Sequence, residues 1–459
     1  MALTNSRSHR IMTLCALYVA QGVPWGFMMI TLPAYLLQTF PDVVDDKEVG
    51  TLTGIILFPW TFKLIWAPLM DNFTFRPMGR RRPWIIGAEL AMAATLFTFL
   101  GLNNPSHHLS YIMWMYFLHN CFASLQDVCT DALAVDVLPP HEQGSTNGLM
   151  WGSKLVGRGI GGWGLTFVIN SGGIEACVWV QFAILVAIML VPLFILERPG
   201  ERRFPWSSGE AQTSKDEDSD GESRAEQLKE WLFTTLRALS LTSLWVYIIF
   251  TLLKLVGTGI NEVVAKSLFI KQMGWTAEEF AKVNGLYSTI GIVIATVGAG
   301  ALGDYFGRRK VLILGFGGYA AIVIAFAMMP HMWTNRTFAS VYIIGFEGFN
   351  AIASVGFLSL AMRISWSKAS ATVFTVYMTL SNVSHIAGNF LAGRVRSLMM
   401  FGASAEDADR ATILRSYELT FYAVVVLALL PLVCLFWVRT EEVDAAKEEE
   451  LKLADEKEL

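Results

Sequence analysis

The sequence is short of charge. Of 459 residues only 16% are Asp, Glu, Lys or Arg, where soluble domains carry roughly 25%. With 54% hydrophobic residues and a mean hydropathy of +0.46, an all-soluble fold would need an implausibly large core. Cysteine is also scarce. Cys15, Cys121, Cys129, Cys177 and Cys434 are scattered, with no CxxC or metal-type spacing, and read as small buried apolar residues. No Gly-Lys dipeptide occurs, which removes the phosphate-binding loop that ATP hydrolysis would need. No His/Cys/Asp grouping has metal-ligand spacing, and the adjacent His107 and His108 fall in a polar segment where solvation explains them. A membrane enzyme would gather a nucleophile–base set or metal ligands at one interface, and none can be assembled. No enzymatic activity, cofactor, metal or nucleic-acid partner is therefore expected. No cleavable signal peptide is evident, because the first apolar run is too long and no small-residue cleavage site follows it.

Apolar runs recur along the whole chain, each near the 20 or so residues that cross a hydrocarbon core of roughly 30 Å. They predict an all-α integral membrane protein with twelve transmembrane helices, near 11–38, 49–70, 84–102, 110–136, 147–170, 176–196, 241–269, 280–302, 311–329, 338–361, 369–391 and 416–438. Residues 197–240 are rich in Ser, Gly, Asp and Glu and cannot bury a core, so they read as a linker. Residues 439–459 form a charged tail. The division is then an N-terminal six-helix bundle over 1–196, the linker, a C-terminal six-helix bundle over 241–438, and the tail. Arg7, Arg10, Arg80–Arg82, Arg308–Lys310, Arg363 and Lys368 all fall on one side of this arrangement. The positive-inside rule puts that side, both termini and the linker in the cytosol. Two six-helix halves imply an internal repeat, which in membrane proteins points to a transporter.

The turn after the second helix and the turn after the eighth occupy equivalent places. Both carry an acid followed by a basic cluster: Asp71 with Arg80, Arg81 and Arg82, and Asp304 with Arg308, Arg309 and Lys310. The second copy, GALGDYFGRRK, matches G-x-L-x-D-x-x-G-R-R at Gly300, Leu302, Asp304, Gly307, Arg308 and Arg309. In this the chain resembles the major facilitator superfamily and its pseudo-symmetric 6+6 fold. The resemblance implies that Asp71, Arg80, Arg81, Gly300, Asp304, Gly307, Arg308 and Arg309 form an interdomain latch favouring the outward-facing state. Charge pairs suit that role, being strong enough to hold a state and weak enough to release it. The first copy departs from the signature, with seven residues between Asp71 and Gly79. Its longer form, KLIWAPLMD with GRRRPW, and the stretch LQDVCTDALAVDVLPPHEQG are similar to the peptide–acetyl-coenzyme A transporter family, which contains AmpG-type anhydromuropeptide permeases and acetyl-CoA transporters. That likeness covers about 85 residues of the first half.

Charges inside helices carry the chemistry. An ionisable side chain at mid-bilayer costs about 2.5–3.5 kcal/mol on insertion scales, so each needs a partner, a wet cavity or a function. Counting helical rise places Lys63, Asp127 and Lys154 at similar depth, with Arg158 one turn nearer the middle on the same face as Lys154. Gln21 and Trp25 fall near the midplane. Three cations against one clearly co-located acid, Asp127, predict a site that attracts an anion, since an unpaired buried charge is severely costly. Asp131 and Asp136 are expected nearer the cytosolic surface, pairing with the arginine turn, and Asp131 is counted with the latch. The second half offers Lys254, Asn350, Tyr377 and Asn382 as further substrate contacts. A carboxyl in an apolar setting can bind and release a proton near neutral pH, so Asp127, Glu347 and His385 are the candidates for proton coupling. Glu262 is expected at the outer rim.

Helix five is glycine-rich, suiting a mobile packing seam, and has no proline between Pro140 and Pro192. The superfamily's antiporter signature is thus missing, which favours symport or uniport. The expectation is a monomeric, proton-gradient-driven secondary transporter in a bacterial inner (plasma) membrane, importing a small organic anion such as an anhydromuropeptide-like glycopeptide. Acetyl-CoA or another nucleotide conjugate, a sugar or drug, and a non-transporting membrane sensor are the alternatives.

Overall fold

The computed structural model describes residues 2–73, 75–102, 105–207, 242–365, 370–402, 408–439 and 441–443. The described elements are helices, and the extended contact among them is an isolated parallel bridge between Ala2 and Leu196. The linker interior, the tail beyond Val443 and Lys368 lie outside the described residues, as do the side chains of Asp71 and Asp304.

Helix α1 (Arg7–Gly26) starts where the Ser6 side chain accepts from the His9 amide. Pro24 sits inside it, and a π turn at Phe27–Thr31 follows before α2 (Leu32–Thr39). A proline removes one ladder donor, and a locally widened turn is one way a helix continues past it. Helix α3 (Asp46–Leu57) opens on a reciprocal capping box between Asp45 and Glu48. A 3₁₀ stretch over Phe58–Phe62, with Pro59 in its first turn, separates it from α4 (Lys63–Asn72). Lys63, expected inside a continuous helix, thus begins a new one after a break. Then come α5 (Arg82–Leu96), α6 (Leu109–Val137) and α7 (Pro140–Gly159), and a π turn at Ile160–Gly164 leads into α8 (Leu165–Phe194). The loop expected at 170–176 is a sharp bend within α8, where Gly173 has φ +67°, a conformation that a Cβ would strain.

Helices α9 (Thr242–Leu253) and α10 (Val256–Ser267) are split at Lys254 and end in a π turn, Leu268–Gln272. The short α11 (Ala277–Ala281) runs through a π turn into α12 (Ser288–Phe306). Helix α13 (Arg308–Ala327) follows Gly307, whose φ of +89° accounts for the glycine in the basic turn. Helices α14 (Arg336–Ile364), α15 (Ser370–Leu398) and α16 (Arg410–Leu429) follow, the last continued by a 3₁₀ stretch over Leu430–Trp437.

Among the described residues, seven helical stretches are long and apolar enough to cross a bilayer, and one of them, His141–Phe194, spans 54 residues across the Gly173 bend. Large apolar side chains such as Ile294, Val297, Val341 and Val426 are more than half exposed, as expected where lipid covers the surface.

The chain folds as two compact units. Unit 1 comprises Met1–Thr213 with Val263–Ile290, and unit 2 comprises Ser214–Glu262 with Gly291–Leu459. This differs from a linear split at the linker because the 263–290 segment packs within unit 1: Lys266 Nζ donates to the Met29 carbonyl at 2.7 Å, and Lys271 Nζ reaches the Pro41 and Val44 carbonyls. The core of unit 1 joins α1, α5 and α6 through Leu14, Leu17, Ile85, Ala88, Leu125 and Cys129. Helices α1 and α7 meet backbone to backbone. A Cβ at Gly22 would lie 2.2 Å from the Lys154 carbonyl and 2.9 Å from the Gly157 Cα. That close approach brings Gln21 alongside Lys154.

Candidate functional site

In unit 1 the polar side chains converge on Asp127 of α6. Its Oδ2 is ion-paired with Lys63, and its Oδ1 lies 3.5 Å from Lys154 Nζ. One carboxylate thus sits between two ammonium groups, with Asp127 and Lys154 buried and Lys63 partly open. Lys154 also donates to Gln21 Oε1 at 2.9 Å. Aromatic rings surround these cations: Lys154 Nζ lies 4.6 Å from the Trp60 ring centroid, 5.5 Å from Trp151 and 5.9 Å from Trp25, and Lys63 lies 5.2 Å from Trp60. Cation–ring contacts of this kind stabilise charge without neutralising it. Trp60 is fixed in turn by donating from Nε1 to Asn120 Oδ1 at 3.2 Å, and Trp66 by donating to Ser124 at 2.8 Å. The expected grouping of Lys63, Asp127, Lys154, Gln21 and Trp25 is therefore one physical site.

Arg158, one turn along from Lys154, is buried and turned to a different partner set. It donates to Thr289 Oγ1 at 3.1 Å and to Asn284 Oδ1 at 3.4 Å, while its guanidinium carbon lies 5.9 Å from the Trp25 ring centroid.

Three residues outside the expected set enter this site. Tyr18 donates to Asp131 Oδ1. This corrects the expected pairing of Asp131 with the arginine turn, because Tyr18 on α1 reaches it first. Gln126 accepts from Gln21 Nε2 at 2.6 Å, and Glu89 on α5 accepts from Gln126 at 3.0 Å. Glu89 corrects the charge count. Lys63 and Lys154 share Asp127, while Asp131 on Tyr18 and Glu89 on Gln126 are acids nearby that the expected three-to-one count left out. The available signal was an acid alone in the apolar run GAELAMAATL.

The arginine turn is engaged within its own unit. Arg81 pairs with Asp136 at 2.9 Å, as expected for that aspartate, and its amide donates to Glu197. Arg82 donates to the carbonyls of Pro192, Met78, Arg202, Leu193 and Arg203 and lies 3.6 Å from Glu201. Burial and the neighbouring Glu197 push Glu201 up to about 7. Arg80 is exposed. Arg10 makes a buried bidentate pair with Glu142, with a closest approach of 2.9 Å.

In unit 2 Lys254 is buried at the α9–α10 break, 3.8 Å from the Phe357 ring centroid. His385 on α15 lies 3.1 Å from Glu262 on α10. Glu262, expected at the outer rim, is part-buried and faces the candidate coupling histidine. Glu347 and Lys254 both act on His385 electrostatically. Tyr377 is fully buried against Tyr247, with no hydrogen-bond partner for its hydroxyl among the described residues. Asn350 and Asn382 are partly buried on α14 and α15. Arg308 donates to the Ser359 carbonyl at 3.1 Å, whereas Gly300 and Arg309 are exposed.

The sequence profile described as Major Facilitator Superfamily matches residues 11–389. The anhydromuropeptide permease of Escherichia coli strain K12 is 24% identical over 385 residues, covering 82% of this chain and 72% of the permease. Among solved structures, a bacterial homologue of the human lysosomal transporter Spinster aligns with a TM-score of 0.69 at 15% identity, covering 96% of this chain and 98% of its own. The nucleoside transporter NupG aligns with a TM-score of 0.64 at 13% identity, covering 93% of this chain and 99% of its own. This chain belongs to the major facilitator superfamily and is a multi-pass integral membrane transporter.

Proposed function

We propose that this transporter imports an organic anion together with protons by alternating access, and that the anion is an anhydromuropeptide-like glycopeptide. The observation that carries the reading is the single Asp127 carboxylate between Lys63 and Lys154, walled by Trp25, Trp60 and Trp151. Two ammonium groups that share one contacting carboxylate suit a peptide carboxylate. Indole faces suit the C–H faces of sugar rings. A glycopeptide presents both. The E. coli relative is named for that substrate class, and its bacterial origin supports placement in a bacterial inner membrane. Twelve spans, cytosolic termini and a cytosolic linker form the topology of this proposal. Gln21, Trp25, Lys63 and Lys154 supply first-half substrate contacts, Arg158 a further one, and Lys254, Asn350, Tyr377 and Asn382 the second-half contacts. Asp127 and the Glu347–His385 group, extended by Glu262, couple protons. The basic turn around Asp304 acts as the conformational latch.

The deciding experiment is uptake of a labelled anhydromuropeptide into proteoliposomes, with and without an imposed pH gradient. Accumulation that needs the gradient is the expected result. Accumulation of acetyl-CoA or a nucleotide conjugate in its place would move the substrate assignment to phosphate-bearing anions. Absence of uptake of any tested anion, neutral sugar or drug would favour a non-transporting sensor.

A further inference from the structure

Glu89 belongs to none of the roles assigned above. It is fully buried, as are Ala88, Met92 and Ala93 on the same helix. Its Oε1 accepts one hydrogen bond, from Gln126 Nε2 at 3.0 Å, and its Oε2 has no partner among the described residues. A carboxylate held by one neutral amide in an apolar helix packing carries a desolvation cost that its single hydrogen bond does not recover. A proton on the free oxygen removes that cost. Of the titratable groups on the neighbouring helices, His119 is held by Thr95 and the Met92 carbonyl, Asp127 by its two lysines and Asp131 by Tyr18, while the buried Tyr116 hydroxyl has no hydrogen-bond partner among the described residues. Cys129 and Cys177 are buried free thiols on the same neighbours.

The bond from Gln126 is the last link of a directed chain. Lys154 Nζ donates to Gln21 Oε1 at 2.9 Å, Gln21 Nε2 donates to Gln126 Oε1 at 2.6 Å, and Gln126 Nε2 donates to Glu89 Oε1 at 3.0 Å. Every donor points from the lysine towards the glutamate. Two polarised amides therefore connect the cation that flanks Asp127 to the buried acid, and chains of this kind strengthen cooperatively.

We propose that Glu89 is a proton-binding site of the transport cycle, coupled to the cation cluster through Gln21 and Gln126. With Glu89 ionised, the donor chain from Lys154 ends on a negative charge. With Glu89 protonated, that negative charge is removed, and Lys63 and Lys154, which share Asp127, present more positive charge to the substrate anion. Proton and anion then favour each other's binding, and the coupling is reciprocal. This step rests on the reading of the chain as a proton-coupled anion importer.

Two measurements test it and separate the two ideas. The first needs no substrate: infrared difference titration of the full-length protein in lipid, following the carbonyl stretch of protonated carboxyl groups. A wild-type band that is absent in Glu89→Gln, persists in Asp127→Asn and returns at a shifted position in Glu89→Asp supports the assignment. A wild-type spectrum in which Glu89→Gln removes no band overturns it. The second follows binding of a labelled anhydromuropeptide against pH. Linkage to one proton predicts affinity falling about tenfold per pH unit on the alkaline limb in wild type, flattened in Glu89→Gln and restored in Glu89→Asp. Unchanged pH dependence in folded Glu89→Gln, with wild type still accumulating the anhydromuropeptide, overturns the coupling role and leaves the transport reading standing. A Glu89 band in a wild type that binds no anhydromuropeptide supports the proton site and overturns only the substrate assignment.

Discussion

Lys154 Nζ stands 3.5 Å from Asp127 Oδ1, and it shares that carboxylate with Lys63. The sharing sets an order of consequences. Asp127→Asn removes the carboxylate that both ammonium groups contact, and stranding buried charge costs about 3–5 kcal/mol. Lys63→Gln or Lys154→Gln leaves Asp127 with one cation and costs less. Thermal unfolding in detergent, followed by tryptophan fluorescence, should show the largest drop for Asp127→Asn. Transport should be lost in that variant and reduced in the two lysine variants. A larger drop for either lysine variant would mean that Asp127 is held by something other than the pair.

Arg158 occupies an intermediate position. It is near Trp25 yet donates to Thr289 and Asn284. If it also meets the anion, Arg158→Gln should weaken binding of a carboxylate-bearing substrate by roughly 1.5–3 kcal/mol, the worth of a hydrogen bond to a charged group, and weaken an uncharged analogue much less. Equal losses for both, read by competition binding, would assign Arg158 to anchoring the 263–290 segment alone.

These two residues show what could be read from the sequence and what could not. The co-location of Lys63, Asp127 and Lys154 followed from counting helical turns, because rise per residue within a helix is fixed. The turn at Gly307 followed from its signature, and its positive φ explains why glycine is there. Side-chain partnerships across helices had no such rule. Asp131 turned to Tyr18, 113 positions away, and Glu262 to His385, 123 positions away. Those pairings depend on helix rotation and packing, which a linear pattern does not encode. Glu89 was visible as a lone acid but silent about Gln126, and the break before Lys63 came from a 3₁₀ stretch that apolar periodicity runs straight through.

The group around His385 in unit 2 gives a prediction about coupling. Glu262 lies 3.1 Å from the imidazole, and Glu347 bears on it electrostatically. Glu347→Gln mimics a permanently protonated acid and should reduce uphill accumulation several-fold while leaving counterflow exchange largely intact. His385→Gln should do the same if the pair acts as one unit. Uphill uptake undiminished in both variants would leave the first-half acids as the coupling groups.

The basic turn at Gly307 is open to a separate check. Asp304→Asn removes the acid of the signature while Arg308 keeps its bond to the Ser359 carbonyl. As a latch residue, Asp304 should be needed for turnover and dispensable for binding, so uptake should fall several-fold with affinity nearly unchanged. A matched loss of both would make it a folding residue of the turn.

The last prediction concerns pH and the linker end of unit 1. Glu201 lies near Glu197 and Arg82, and burial with the Glu197 charge raises it from an ordinary 4.5 to about 7. Arg82 pulls the other way from 3.6 Å, but its guanidinium is already divided among the carbonyls of Met78, Pro192, Leu193, Arg202 and Arg203. The folded state therefore holds the Glu201 proton more tightly than the unfolded chain does. Its contribution to stability is full below the unfolded value and is lost as pH rises through the folded one. Glu201→Gln keeps the neutral form at every pH. Its thermal midpoint should match wild type near pH 4 and exceed it at about pH 8 by a few degrees, roughly what about 1 kcal/mol produces in a unit of this size. A midpoint below wild type at alkaline pH would show that the Arg82–Glu201 ion pair outweighs the repulsion from Glu197.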